Sequence, residues 1–178
     1  MAGNNAEDTD SGAVITSSME LNPYAKFLGD QEPIPVITAT VERLHALIDP
    51  LSPAQADRSP EPGKWSIREI LSHLADCELV FAVRLRQTLA EAHHIIQPFD
   101  QSVWAERYAA YDLGSAFAMF SAARNWNLKF LTTVTDEDRH HPTTHPERGT
   151  MTLWTIVETI AGHDLNHLQQ VERLAKAV

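Results

Sequence analysis

Two histidines near the C-terminal end of the chain have the spacing of metal ligands. His163 and His167 stand four residues apart in a segment with helical periodicity, so their side chains are expected on one helix face. Ile160 and Val171 continue that row, which indicates that the face is buried. A buried imidazole without a partner costs on the order of 1–3 kcal/mol, and a divalent cation satisfies two neutral imidazoles at once. The spacing therefore predicts a metal site inside the protein.

A third histidine interrupts the apolar row of an earlier helical segment. His73 lies three residues after Ile70 and four before Cys77, on the side that is expected to face the core. Three histidine ligands would hold one divalent ion and leave a coordination position for water or substrate. Three histidines suit zinc, nickel, iron, manganese or copper, and their spacing does not distinguish between these ions. The alternative interpretation is that the three side chains form a hydrogen-bonded network in the core.

Three charged residues are candidate catalytic groups around these histidines. Asp76 lies one helical step from His73, and Asp164 directly follows His163. Either carboxylate can accept the second N–H of a ligating imidazole, or remove a proton from a bound water molecule or thiol. Arg124 interrupts the apolar row of another segment. It is interpreted either as part of an interhelical salt bridge or as an anchor for an anionic substrate group beside the metal.

Four segments with a helical repeat of apolar residues are expected to position these side chains. Their apolar rows run over residues 37–48, 70–89, 117–131 and 153–174. Ser66 followed by Glu69 has the pattern of a capping box at the start of the second segment, and Asp112 is predicted to cap the third. No strand pattern of any length is visible. The sequence predicts an all-α four-helix bundle with a long connector between helices 2 and 3.

The regions between and before these helices have less regular patterns. The connector is rich in aromatic residues, and its portion from Trp104 to Ala110 is predicted to form a short helix. The stretch from Thr135 to Gly149 is predicted to be a polar loop. Residues 1–20 are acidic and polar, which predicts a disordered tail, whereas residues 21–178 are expected to form one domain.

The overall charge limits the possible partners. Fourteen Lys and Arg against 24 Asp and Glu give a net charge of -10, which disfavours binding to nucleic acid or to an anionic membrane. No signal peptide or membrane-spanning segment is visible, so the expected location is the cytoplasm. Cys77 is the single cysteine and cannot form an intramolecular disulfide. It is interpreted as a small packed apolar residue.

Three stretches of the sequence resemble a known family. They are WSIREILSHLAD at residues 65–76, the connector at residues 100–111 with Trp104, and IAGHDLNHLQQ at residues 160–170. Through them the chain resembles the DinB-like, or YfiT-like, superfamily of metal-dependent enzymes over residues 35–178. The resemblance implies a four-helix bundle that holds a divalent metal, often nickel or zinc. By motif, its three ligands would be the histidines already described.

The resemblance also implies a type of reaction. Characterised members of the superfamily include transferases and isomerases that activate a low-molecular-weight thiol, such as bacillithiol or mycothiol, at the metal, and members are often homodimers. We therefore expect an enzyme that acts on a small-molecule substrate. It would activate either a thiol, which is transferred to the substrate, or water, which hydrolyses it. The alternative is a non-catalytic, dimeric bundle that binds a metal or ligand. A pocket beside the site would favour the enzyme, and a fourth protein ligand would favour the binding protein.

Overall fold

Four long helices dominate the computed structural model, which describes residues 21–177. They are α1 (Pro33–Ile48), α2 (Ile67–Ala90), α3 (Leu113–Leu131) and α4 (Leu153–Ala175). Each contains one of the four apolar rows, so the predicted four-helix bundle is confirmed. The predicted disordered tail, residues 1–20, lies outside the described residues. None of the described helices is long and apolar enough to cross a membrane.

Side-chain caps determine where these helices begin. The Ser66 hydroxyl accepts a hydrogen bond from the backbone N–H of Glu69, and the Glu69 carboxylate accepts one from the backbone N–H of Ser66. This reciprocal pair is the predicted capping box at the start of α2. Asp112 caps α3 as predicted, and Thr152 caps α4 in the same way. The caps fix the starting points of the two helices that carry the three histidines.

Shorter helical segments connect the bundle. The predicted Trp104-to-Ala110 helix is divided into an α-helix over Gln101–Ala105 and a 3-10 turn over Tyr108–Ala110. The remaining short segments that the structure describes are α-helical at Ala25–Leu28 and Pro53–Ala56 and 3-10 at Asp138–His140.

A small three-stranded sheet replaces part of the predicted polar loop. Its strands are β1 (His94–Ile95), β2 (Pro142–His145) and β3 (Gly149–Thr152), with β2 in the centre. The strand β1 runs parallel to β2, and β3 forms an antiparallel hairpin with β2. The prediction of a loop from Thr135 to Gly149 was wrong here, because strands of two and four residues are too short to show an alternating pattern.

The three histidines lie where the two apolar parts of the core meet. Helix α2 packs mainly on α3, α1 packs mainly on α4, and α2 also contacts α4. On α2, His73 stands between Ile70 of one apolar cluster and Cys77 of the other. On α4, the other two histidines stand between Ile160 of one cluster and Val171 of the other. The α2–α4 contact therefore brings all three imidazoles together inside the bundle.

Candidate metal centre

The three predicted ligands converge on one point in the protein interior. The Nε2 atom of His163 lies 3.1 Å from Nε2 of His73 and 3.1 Å from Nε2 of His167. One ring nitrogen from each residue lies within 4.8 Å of the others. The side chains are buried, with 1%, 4% and 5% exposure for His73, His163 and His167. The structure thus brings together the residues that the helical spacing and the family resemblance both selected.

Aromatic rings from outside the helices hold two of these imidazoles in place. Trp65, directly before the capping box of α2, packs on His73 with ring centroids 4.8 Å apart. Tyr24, from the segment before α1, contacts His163 nearly edge-on, with centroids 5.0 Å apart. These contacts restrict the rotation of the rings and shield the centre from solvent.

A glycine in α4 allows Tyr24 to reach the site. A Cβ atom placed on Gly162 would lie 2.5 Å from the backbone oxygen of Tyr24 and 2.8 Å from its Cβ. Any larger residue at position 162 would therefore push this segment away from α4. No sequence pattern indicated a role for Tyr24, because its contact with His163 depends on how the chain before α1 folds back over the bundle.

The three imidazoles are neutral at pH 7. Burial, together with the nearby His167, lowers the pKa of His73 to about 3. Burial also lowers the pKa of His167 to about 4, and it holds the pKa of His163 well below its usual value. In addition, Nδ1 of His167 lies 3.0 Å from Oε1 of Gln170, to which it can donate its proton. The Nε2 lone pair of His167 is then free to bind a cation.

The arrangement suits a metal ion better than a hydrogen-bonded network. Nε2 of His163 has two Nε2 neighbours, but a neutral imidazole nitrogen offers either one hydrogen or one lone pair. This nitrogen therefore cannot form good hydrogen bonds with both neighbouring nitrogens. A cation can accept the lone pairs of all three nitrogens, and ligand nitrogens about 2.0–2.1 Å from a tetrahedral zinc are about 3.4 Å apart. The two separations from His163, 3.1 Å each, are close to that value, and the third pair lies within 4.8 Å.

Arg124 forms a salt bridge between the helices that carry the three histidines. Its guanidinium donates hydrogen bonds to both oxygens of Asp164, at 2.5 and 2.9 Å, and to Glu78 at 2.7 Å. A further bond reaches the carbonyl oxygen of Ile37 in α1. Burial lowers the pKa of Arg124, but the two carboxylates raise it by more, so the side chain stays charged. The structure therefore places Arg124 in the interhelical salt bridge.

The two candidate carboxylates have hydrogen-bond partners other than the three imidazoles. Asp164 uses its oxygens to accept hydrogen bonds from Arg124 and from the Thr40 hydroxyl, at 2.7 Å for the latter. Asp76 is partly buried near Tyr108; burial raises the pKa of Asp76, and the Tyr108 phenol partly offsets this rise. Among residues 21–177, neither carboxylate forms a hydrogen bond with any of the three histidines. The catalytic roles of Asp76 and Asp164 therefore stay predictions.

Cys77 is closer to the centre than the sequence indicated. Its Sγ atom lies 3.5 Å from Nε2 of His73 and 3.9 Å from Nε2 of His163. The side chain is buried, and burial, reinforced by the charge of Glu78, raises the pKa of the thiol. In this state Cys77 is a neutral, packed thiol, which agrees with its interpretation as a small apolar residue.

A pocket of about 340 Å³ opens beside the centre and is lined in part by His163 and Cys77. Its other walls include Tyr24, Arg84 of α2 and Arg148 of the β2–β3 turn. Arg84 and Arg148 were not among the site residues predicted from the sequence. The hairpin that carries Arg148 was predicted to be a loop, and nothing in the local pattern links it to α2. The pocket supplies the space for a small molecule that an enzyme requires.

Together, the helices and the histidine cluster define a four-helix bundle with a buried candidate site for a divalent metal. The chain belongs to the DinB superfamily, whose family model matches residues 37–171. This match confirms the resemblance found in the sequence.

Relatives with similar sequences are named for metal-dependent chemistry. A protein of Oceanobacillus iheyensis is 28% identical over 128 residues, which cover 71% of this chain and 74% of the relative. A protein of Bacillus pumilus is 29% identical over 139 residues, covering 76% and 78%. Both bear the name "Putative metal-dependent hydrolase".

A solved structure has the same fold. YfiT from Bacillus subtilis, described as having "an unusual four-helix bundle topology", superposes with a TM-score of 0.75 at 22% identity. The match covers 86% of each chain. The similarity establishes the fold of the bundle and agrees with the family assignment.

Proposed function

We propose that this protein is a metal-dependent enzyme whose divalent ion is bound by His73, His163 and His167. The observation that carries the proposal is the convergence of three buried, neutral imidazole nitrogens next to a pocket. When bound by these three histidines, a divalent ion would supply Lewis-acid chemistry that lowers the pKa of a water molecule or a thiol. The names of the relatives favour hydrolysis, in which water is the nucleophile.

The residues around the centre have separate tasks in this proposal. Gln170 fixes the tautomer of His167 by accepting from its Nδ1. Trp65 and Tyr24 pack on the other two imidazoles and limit the access of bulk water. The low pKa values of the histidines keep their lone pairs available at pH 7, so binding of the ion does not have to compete with protonation.

Transfer of a thiol is the second candidate reaction. Thiol and water activation share their first step, and a pocket of about 340 Å³ can admit the reactive end of a small thiol. The resemblance to thiol-dependent members of the superfamily favours this candidate, whereas the names of the two relatives described above favour hydrolysis.

An activity screen distinguishes the two reactions. Protein loaded separately with zinc, nickel, iron or manganese is assayed on chromogenic esters, amides and phosphoesters, and on bromobimane with glutathione, cysteine or bacillithiol. We expect turnover of either the hydrolysis substrates or the thiol-transfer substrates with at least one metal. His163→Ala should abolish this turnover, whereas His45→Ala, which changes an exposed histidine, should retain it. Full metal loading of wild type with no turnover in either class would instead favour the non-catalytic binding protein.

A further inference from the structure

A second group of basic side chains lies in the pocket beside the three histidines. Arg84 of α2 and Arg148 of the β2–β3 turn line the same cavity as His163. His145, at the end of β2, adds an imidazole to this wall. The whole chain has a net charge of -10, so a concentration of basic groups at this point is a local exception. Such a wall attracts an anion into the pocket.

Neither guanidinium forms an ion pair with a carboxylate of the described residues. Within residues 21–177, no carboxylate oxygen lies within 4.0 Å of a guanidinium nitrogen of Arg84 or Arg148. The carboxylate among the described lining residues is that of Glu147, which is exposed to solvent. The charge of Glu147 acts on Arg148 and raises its pKa, but within residues 21–177 neither arginine is paired with a carboxylate. Arg124, in contrast, is bound by two carboxylates.

Both arginines also have hydrogen-bond donors without acceptors. The Nε atoms of Arg84 and Arg148 are buried and have no partner among the described residues. The Nη2 atom of Arg84 makes only a long contact, 3.5 Å, with the carbonyl oxygen of Gln97. A buried N–H without an acceptor is destabilising, so such donors are normally paired with protein, water or a ligand. The unpaired donors mark the places where an acceptor from a ligand would bind.

The charges of the two arginines persist at neutral pH. Burial lowers the pKa of Arg84 to about 10, and the positive charge of Arg148 contributes to this shift. Burial lowers the pKa of Arg148 as well. The repulsion between the two groups is relieved when an anion binds between them.

We propose that Arg84 and Arg148 bind an oxyanion, a carboxylate or a phosphate, of the substrate. Guanidinium groups bind such planar or tetrahedral oxyanions with two parallel hydrogen bonds, which fixes the orientation of the ligand. The rest of the substrate then extends toward His163, on the same pocket wall. The inference rests on the proposed function only in treating the anion as part of a substrate. It names the substrate class as a small anionic molecule.

Binding of simple anions tests this site without an activity assay. Metal-free protein is titrated calorimetrically with succinate, with inorganic phosphate and with uncharged succinamide, and zinc-loaded protein is titrated with succinate and succinamide. We expect succinate or phosphate to bind and succinamide not to bind; the tighter anion identifies the carboxylate or the phosphate as the matching group. Arg84→Gln and Arg148→Gln should each weaken binding at least tenfold, and Arg148→Lys should retain more affinity than Arg148→Gln. Arg58→Gln, which changes an exposed arginine, should bind as wild type does.

Two results would overturn the proposal. One is the absence of succinate and phosphate binding to correctly folded, metal-free wild type. The other is unchanged affinity in both Arg84→Gln and Arg148→Gln, which would show that the anion binds at another place. In the zinc-loaded protein, that place could be the metal itself. Either result leaves the proposed function intact, because that function depends on metal binding by the histidines. Circular dichroism and zinc stoichiometry of each variant show whether it is folded.

Discussion

Arg124 of α3 holds Asp164, the residue directly after His163, through two hydrogen bonds of 2.5 and 2.9 Å. The same guanidinium binds Glu78, which directly follows Cys77 in α2. One buried cation therefore joins the two helices that supply the candidate ligands. Its position behind the imidazoles indicates that it orients α2 and α4 relative to each other, which is a structural role rather than contact with substrate.

The substitution Arg124→Gln should strongly destabilise the protein. It leaves the carboxylates of Glu78 and Asp164 buried without their cation, and breaking a buried ion pair in this way costs about 3–5 kcal/mol. Urea unfolding of the metal-free protein measures the free energy. The control Arg43→Gln removes an exposed ion pair with Glu172 and should cost less than about 1 kcal/mol. Equal losses for the two variants would show that the buried network is not structurally important.

The substitution Gly162→Ala should also destabilise the protein. The new methyl group would overlap the backbone of Tyr24, and overpacking of this kind costs about 1–3 kcal/mol. In an ordinary helix the same change would be stabilising by about 0.5–1 kcal/mol. Gly114→Ala in α3 is the control, because its Cβ would meet only the Asp112 side chain, at 3.3 Å. If Gly162→Ala unfolds at the same or a higher urea concentration than wild type, Tyr24 does not pack against α4 as described.

The parts of the structure that the sequence predicted depend on local patterns. The four long helices follow from apolar periodicity, and the start of α2 follows from a capping box, both of which act within a few residues. The three histidines stood out because they interrupt apolar rows. The convergence of His73 on the other two then follows from the packing of α2 on α4.

The features that sequence analysis missed depend on contacts between distant segments. Arg84 and Arg148 are 64 residues apart in the numbering and meet only because the β2–β3 hairpin folds over α2. The strand β1 pairs with a strand almost 50 residues later, as in the pair His94 and Thr143. Neither relationship leaves a repeat in the sequence. The zinc or nickel ion, the thiol, the homodimer and the cytoplasmic location stay predictions.

Metal-free protein should lose stability as the pH falls below about 6.5. The pKa values of the three histidines are lower in the folded state, about 3 for His73 and about 4 for His167, than the ordinary value of 6.5. The unfolded chain therefore takes up protons first, and stability present above pH 6.5 is lost progressively down to about pH 3. Each histidine contributes up to about 1.4 kcal/mol per pH unit in that range.

Urea unfolding between pH 7.5 and 5 checks this pH dependence. His73→Gln should have a shallower slope than wild type by about one proton, because one depressed histidine has been removed. His45→Gln, at an exposed position, should keep the wild-type slope. Identical slopes in all three proteins would contradict the burial of a neutral His73.

Replacement of Cys77 by alanine should leave the metal in place. The thiol is neutral in the structure and the three imidazoles are the expected ligands, so Cys77→Ala should bind one equivalent of cobalt or zinc as wild type does. The absorption spectrum of the cobalt-loaded wild type should also lack a thiolate-to-cobalt charge-transfer band. Such a band, with loss of metal in Cys77→Ala, would make Cys77 a fourth ligand. The site would then be closed, which favours the binding protein over the enzyme.

The most direct test of the central claim is the metal content of the purified protein. Elemental analysis is carried out on wild type, on alanine variants of His73, His163 and His167, and on His45→Ala, all prepared without a nickel column. We expect about one equivalent of a divalent metal in wild type and in His45→Ala, and loss of that metal in each of the other three variants. Wild type that is free of metal and cannot be loaded with zinc, nickel, iron or manganese would contradict the account. The three histidines would then form a hydrogen-bonded core network.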